Sequence, residues 1–367
     1  EGLEDLFDTV HIGEGYYWLL RPDLEDDRQG DYGLLDESSK INLNSASLEM
    51  LQRLPGMTAE LAASIIDWRD QDSDLTEGGA ESEYYLLQAD PYECKNAPLV
   101  TVEEVLLIQG GSKDILFGED SNTNGRLDDN ENDGDDSEPA DNQNGSLDRG
   151  LYDYVTVYSA EKNVDAEGNV RVNINEADNR NQLNDMLTQA FDEDRALAIM
   201  SAYPMNPNFD SILHYYYRSS MTPDEFTQIA DKLTTSSEDQ IMGLVNVNRA
   251  PKPVLLCLPG LEESDVDKLI ANRASSSAEL DSVAWVVGVL NQDKAEAIGA
   301  FITTNSYQYR ADIVSVSENG RAFRRYVAVL DALQTPTRVK YWKSLMHMGW
   351  PLDREILETL RSGKALD

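Results

Sequence analysis

The sequence predicts an α+β fold in which a sheet domain is interrupted by a large helical insertion. Three observations carry this. Short alternating, aromatic-rich segments stand near both ends of the chain, at residues 16–20, 32–35 and 307–317. Between them runs a long stretch of helical periodicity. Within that stretch one phrase recurs three times. INLNSASLEMLQRL runs into Pro55, Gly56 and Met57; VNVNRAPKPVLLCL runs into Pro259, Gly260 and Leu261; VNINEAD, residues 172–178, lacks the Pro–Gly. Each copy reads as an Asn-punctuated extended lead-in, a helix, a tight turn and a second helix. Such a repeat sets the architecture of the region that holds it. Strands outside and helices inside place a helical domain within a sheet domain.

The elements follow in order. Residues 1–40 form the first part of the sheet domain, with an acidic stretch at 23–31. Residues 41–305 form the insertion, with hairpin repeats at 41–70, 172–202 and 245–273. In the first repeat, helices are expected over 46–54 and 59–69. Leu48, Leu51 and Leu54 share one face; Leu61, Ile65 and Trp68 share another. Gly56 ends the first helix because glycine accepts the left-handed conformation. Residues 70–83 read as a polar loop punctuated by Gly78 and Gly79. A short helix over 102–108 is expected to turn Leu106, Leu107 and Ile108 inward. An acidic insert follows at 119–148, then a strand at 152–158, then helices from 181 to 233. Residues 259–291 repeat the hairpin, with Val266, Leu269 and Ile270 on one face. Residues 306–331 close the sheet domain. Tyr307, Tyr309, Ala311 and Ile313 alternate with Gln308, Arg310 and Asp312, and Asn319–Gly320 signals the turn to a partner strand at 324–330. Residues 332–367 are a C-terminal extension, helical beyond Pro351.

The 367 residues are 41% hydrophobic, enough for two or three cores. The net charge of −38 argues against nucleic acid and anionic lipid as partners. The insert at 119–148 alone carries eleven acidic residues against one base, Arg126. Cys94 and Cys257 fall in different repeats, so they either bridge two touching repeats or stay as buried thiols. No apolar run reaches the roughly 18 residues of a membrane helix, and the acidic residues 1–8 are unlike a signal peptide.

The sharpest local signal is DSNTNGRLDDNE at residues 120–131. Against the EF-hand calcium loop it puts Asp120, Asn122 and Asn124 at positions 1, 3 and 5. Gly125 falls at 6, where the chain must turn sharply. Arg126 offers its carbonyl at 7, Leu127 packs at 8, Asp128 serves at 9 and Glu131 closes at 12. Calcium is a hard cation that takes six to eight oxygens, and this order supplies them. The alternative is a solvated acidic linker. A weaker echo follows in DNQNGSLD: Asp141, Asn142, Asn144 and Asp148, with Ala140 and Leu151 at the end positions. It is either a degenerate site using Asp141 or a loop that lends ligands to the first. Modest ligand charge points to a structural ion.

Catalytic arrangements are missing, so an enzyme is not expected. His11, His214 and His347 are dispersed, and no HExxH, GxSxG or P-loop pattern occurs. Glu81 and Glu83 are either paired carboxylates, a solvated loop or a further cation site. Hairpins of this kind bind DNA phosphate through main-chain N–H groups at the second helix's N-terminus. Here that position carries Thr58 or Glu262, with Glu263 beside it. Those carboxylates satisfy the helix dipole internally and repel phosphate.

Taken together, INLNSASLEMLQRLPGM, IIDWRDQDSD, GGAESEYYL, KNAPLVTVEEVLLIQG, the later VNVNRAPKPVLLCLPGL and the closing YQYRADIVSVSENGRAFRRYVAVLD resemble general secretion pathway protein K. That family is the large minor pseudopilin of type II secretion systems. The resemblance spans most of residues 32–331. It implies a pilin-like sheet domain around the helical insertion, with structural calcium carried over only to residues 120–131. It implies I- and J-like minor pseudopilins as partners, with the secretin or exported proteins as further ones, and no nucleic acid. It implies a periplasmic ectodomain held to the inner membrane by an N-terminal helix that this chain lacks, and a role capping the pseudopilus tip in protein export. The acidic insert, the third repeat and the extension after Asp331 depart from the family. A related type IV pilus system, a calcium-dependent cell-surface binding module and a hairpin DNA receptor are the alternatives.

Overall fold

Period-two alternation builds the sheet. In the strand Gly15–Arg21, Tyr16, Trp18 and Leu20 are buried and their neighbours half-buried. The computed structural model describes residues 6–24, 31–275 and 280–366. Most of the expected acidic stretch at 23–31, the first residues of the chain and part of the 259–291 segment lie outside them.

The chain divides into two units. One comprises Glu1–Glu37, Pro55–Val157 and Tyr307–Asp367; the other comprises Ser38–Leu54 and Tyr158–Ser306. The first unit holds an antiparallel sheet ordered Val10–Ile12, Gly15–Arg21, Gln308–Ser317, Phe323–Asp331 and Arg338–Ser344. Two short strands, Asp31–Tyr32 and Leu35–Asp36, pair beside it. The expected turn joins its two longest strands, with Gly320 at φ +63. The C-terminal helix Arg354–Arg361 lays Leu357 and Leu360 on Tyr16, Trp18, Val314 and Val316. The helix beyond Pro351 therefore forms, and it closes one face of the sheet.

Several local expectations change. The segment at 102–108 is a 3₁₀ turn, Val102–Leu107. With three residues per turn, Val102, Val105 and Ile108 share the buried face, while Leu106 and Leu107 are exposed. The strand expected at 152–158 shrinks to Val155–Thr156 behind a 3₁₀ turn, Leu151–Asp153. The first helix of the first repeat is Leu48–Gln52, shorter than 46–54, while the second, Ala59–Arg69, has the expected bounds. In Gln308–Ser317 the polar Gln308 and Arg310 are covered along with Ala311, while Asp312 is half-buried. Arg310 pairs with Glu37 at 2.8 Å with its guanidinium over the Tyr152 ring, and Gln308 donates to Asp331 at 3.0 Å. The extension contributes a sheet strand, Arg338–Ser344, as well as a helix. Both cysteines are buried free thiols.

The second unit explains the Asn punctuation. In each copy the first Asn accepts the main-chain N–H two residues on: Asn42 from Asn44, Asn173 from Asn175, and Asn246 from Asn248, each at 2.9 Å. This Asx turn ends a two-residue strand and re-aims the chain. The second Asn then ties down a distant segment, Asn175 bonding Phe209 O and Asn248 bonding Leu280 O. Arg53 donates to the carbonyls of Leu256 and Leu258, joining the first copy's helix to the third copy's turn. Gly56 and Gly260 take φ +71 and +72 at the two Pro–Gly turns.

In the same unit Arg195 grips Glu225 through Nε at 2.6 Å and Nη2 at 2.8 Å, and Glu225 caps its own helix through Thr222. The Arg195 hydrogen bonds hold the Glu225 carboxyl down to about 2. A lowered folded pKa adds stability above the unfolded value and loses it as pH falls through the folded one. Glu225→Gln is therefore expected to lower stability above about pH 5 and to lose that deficit by about pH 2. Denaturant midpoints measured across that range would check it; a pH-independent difference would refute the linkage.

Candidate calcium site

The acidic insert is closed at its base by main-chain pairing. The helix Lys113–Phe117 ends at Gly118, and Glu119 N–H donates to Asp148 O at 2.9 Å. A Cβ on Gly118 would meet Asp148 O at 2.1 Å, so glycine allows the two ends to touch.

Within it, residues 120–131 wrap around their own side chains. Asp120 Oδ1 accepts Asn124 N–H at 3.0 Å and Oδ2 accepts Gly125 N–H at 2.8 Å. Asn122 Oδ1 accepts Asn124 N–H, and Asn124 Oδ1 accepts Arg126 N–H. The amides of Asn122 and Asn124 both donate to Asp128 Oδ2, at 2.7 and 3.0 Å. Glu131 accepts from Ser121 and Asp128 N–H, so its carboxylate folds back across the loop. Gly125 sits at φ +75 and a Cβ there would meet Pro22 at 2.5 Å, which fixes glycine twice over. All six predicted ligand positions are thus gathered into one turn.

The electrostatics suit a cation. Asp120, Asn124 and Glu131 are buried. Burial first, then the Asp153 carboxylate, pushes Asp120 well above the usual carboxylate range. Burial, then Asp120, pushes Glu131 up to about 8. Two carboxylates are therefore held together in a place where charge is costly. A divalent ion would offset that cost, and the chemistry of the donor set fits a hard cation. Among the described residues no three His, Cys, Asp or Glu side chains form a ready-made metal cage. An ion here would need the amide and main-chain oxygens as well, as calcium loops use.

The loop is bolted to its own unit. Arg325, fully buried, donates to Asn122 O at 2.6 Å and Thr123 O at 2.8 Å while pairing with Asp312. Arg149 donates to Gly125 O and Asp23 O and pairs with Asp153. Asn124 donates to Pro351 O, and Arg126 pairs with Asp353. These bonds place the acidic insert with the sheet, rather than within the 41–305 helical insertion expected from sequence.

The echo at 141–148 repeats the first loop at a spacing of twenty. Asn142 donates to Asp148 at 2.7 Å as Asn122 does to Asp128, and Asn144 N–H bonds Asn142 Oδ1. Gln143 and Gly145 take positive φ as Thr123 and Gly125 do. The ends differ. Asp141 Oδ1 accepts Gln143 N–H while its Oδ2 accepts Asp133 and Gly134 N–H, and Gly145 N–H goes to Asn132 Oδ1 instead. Glu119 accepts Asp148 N–H at 2.9 Å, the role Glu131 plays toward Asp128. Glu119 and Asn132 were not picked out from sequence, because neither stands at a loop spacing from residues 141–148. Most of this second loop is exposed.

The hairpin N-termini are occupied by the chain itself. Thr58 Oγ1 accepts Leu61 N–H, and Asp265 accepts Glu262 N–H and bonds Lys294. No helix among the described residues is long and apolar enough to cross a membrane.

Comparison with known proteins gives two similarities. Residues 34–116 match the family model of type II secretion system (T2SS), protein K. That segment contains the INLN hairpin and the GGAE and KNAP phrases that carry the sequence resemblance. Five chains of solved structures match. One is from the crystal structure of the GspK-GspI-GspJ complex of the enterotoxigenic Escherichia coli type 2 secretion system. It shows 10% identity and a TM-score of 0.43, over 91% of this chain and 81% of that one. No curated protein matches.

Proposed function

We propose that this chain is the periplasmic part of a minor pseudopilin K of a type II secretion system, a non-enzymatic assembly protein. The observation that carries the reading is the protein K match over residues 34–116, which covers the hairpin and GGAE segment. In this role the chain caps the pseudopilus tip with I- and J-like minor pseudopilins and supports protein export across the outer membrane. A net charge of −38 and self-capped hairpin N-termini argue against DNA as a partner. The full-length protein is held in the inner membrane by a preceding helix.

Calcium in this reading is structural. Asp120, Asn122, Asn124, Asp128 and Glu131 hold it, with the Arg126 carbonyl. It ties the acidic insert to the sheet and to the C-terminal segment through the bonds of Asn124 and Arg126. Asn142, Asn144, Asp148 and Glu119 supply a weaker second position.

The test is co-expression with I- and J-like minor pseudopilins. A stable ternary complex in gel filtration is the expected result. A chain that stays monomeric with both partners at micromolar concentration overturns the tip assignment, and capture of a secreted protein or glycan without them favours a surface binding module.

A further inference from the structure

The strand Arg338–Ser344 ends one side of the sheet. It pairs with Phe323–Asp331, and no other strand among the described residues pairs with it. Leu345 N–H donates to Arg325 O at 2.9 Å. Antiparallel alternation then turns the main-chain groups of Tyr341 and Lys343 into the sheet and those of Trp342 and Ser344 toward its open side. The register shifts between Val329 and Leu330, which leaves Lys340 as an extra, bulged residue.

The side chains along this edge run against the rest of the chain. The strand carries three cations, Arg338, Lys340 and Lys343, and no acid, in a protein of net charge −38. Lys343 pairs with Glu103 at 2.8 Å. Arg338 and Lys340 are exposed and enter no ion pair among the described residues. Asp331 stands opposite Arg338 in register, but its Oδ1 accepts Gln308 and Leu333 instead. Arg324, on the neighbouring strand, bonds only the Phe323 carbonyl through its side chain. Between the cations of the edge, Val339 is 56% and Trp342 54% exposed, although Trp342 stacks on Tyr326 with ring centroids 5.0 Å apart.

We propose that Arg338–Ser344 is a docking edge for an extended, acidic segment of a partner protein, which adds to the sheet as a further strand. Charge complementarity selects the occupant. Lysines and a bulge on an edge guard against pairing with a like edge. Antiparallel pairing of two copies of this chain would set Arg338, Lys340 and Lys343 of one against those of the other, which is destabilising. Guarding does not account for the exposed Trp342 and Val339. An acidic strand meets the opposite balance. Its carboxylates would neutralise Arg338 and Lys340, its apolar residues would cover Trp342 and Val339, and its main chain would pair with Trp342 and Ser344. A diffuse polyanion is repelled by the net charge of −38, so an acidic ligand needs the local geometry of this edge to bind.

The probe is a fluorescein-labelled heptapeptide of alternating Glu and Val, titrated into the whole chain at low salt and followed by anisotropy. A Glu–Pro peptide of equal charge, which cannot join a sheet, is the control. The wild type is expected to bind the Glu–Val peptide with a Kd below about 1 mM and the control at least about tenfold more weakly. Hydrogen exchange over residues 341–345 should slow when the Glu–Val peptide is bound, because the outward N–H groups of Trp342 and Ser344 gain acceptors. Arg338→Glu/Lys340→Glu should weaken binding by about tenfold or more through charge. Ser344→Pro keeps every charge and removes one outward N–H, a change that edge strands tolerate, and should also weaken binding. No binding by the wild type, equal binding of both peptides, or wild-type affinity in Ser344→Pro overturns the proposal. If Ser344→Pro fails to fold by circular dichroism, exchange in the wild type decides: bound peptide without slower exchange at 341–345 overturns it as well.

Discussion

Asp120→Asn/Glu131→Gln is expected to reverse its rank against the wild type when calcium is added. With EDTA at neutral pH, the variant should melt at or above the wild-type temperature. Each replacement keeps one acceptor oxygen, for Gly125 and Asp128 N–H, while Asn124 and Ser121 N–H retain Asn122 Oδ1 and Glu119 O; both remove carboxyls that burial makes costly to ionise. With millimolar calcium, the wild type should gain and the variant should not. For about 2 mM calcium and a Kd near about 0.1 mM, occupancy adds about 1.8 kcal/mol per site. In a unit of this size that raises the melting temperature by roughly 4–7 °C. Asp120→Ala/Glu131→Ala should also lose the gain, but with a lower baseline, since Gly125 and Asp128 N–H lose the side-chain acceptors they have here. Calorimetry with each buffer checks the pattern. A calcium shift of equal size in wild type and variant would sink the loop as an ion site.

The 120–131 loop shows what a sequence makes legible. It lies in one contiguous segment, so ligand order and spacing could be read directly, down to the glycine. The buried carboxylates Asp67 and Glu81 instead stand on a helix end and just beyond a glycine turn. Glu81 drew notice in the sequence, but beside Glu83, which is exposed. Its spatial neighbours are Asp67 and Asp70, eleven to fourteen positions away, a pairing no period encodes. The same limit explains the local errors. Leu106 and Leu107 looked inward on an α period and are exposed on a 3₁₀ one. Gln308 and Arg310 looked outward as polar residues and are buried, Arg310 received by Glu37 and Tyr152 and Gln308 by Asp331. The strand Arg338–Ser344 gave no apolar alternation because it is an edge strand carrying Arg338, Lys340 and Lys343. The first Asn of each copy was legible because it acts within two residues of itself, whereas the second reaches Phe209 or Leu280, more than thirty residues away.

The largest single-residue effect is expected at Arg325. Its side chain is wholly buried and makes four hydrogen bonds: to Asp312 through Nε at 3.0 Å and Nη2 at 2.6 Å, to Asn122 O through Nη1, and to Thr123 O through Nη2. Arg325→Met would keep much of the volume and leave Asp312 and two loop carbonyls without their donor. Breaking a buried pair this way costs about 3–5 kcal/mol, because the surviving charge stays desolvated. Asp312→Asn should cost less, since Arg325 would keep both carbonyls. The double variant Arg325→Met/Asp312→Asn should recover part of the loss, giving a coupling that a double-mutant cycle reads directly. A second readout distinguishes the anchor from plain packing. Asn122 and Thr123 lie inside the loop, so Arg325→Met should also weaken calcium binding there, whereas a cavity made elsewhere in the sheet at equal cost should not. Chemical denaturation and calcium titration of the same samples would show both effects. A loss under about 1 kcal/mol, in the range of an exposed pair, or unchanged calcium affinity, would mean that the loop holds its shape without the strand beneath it.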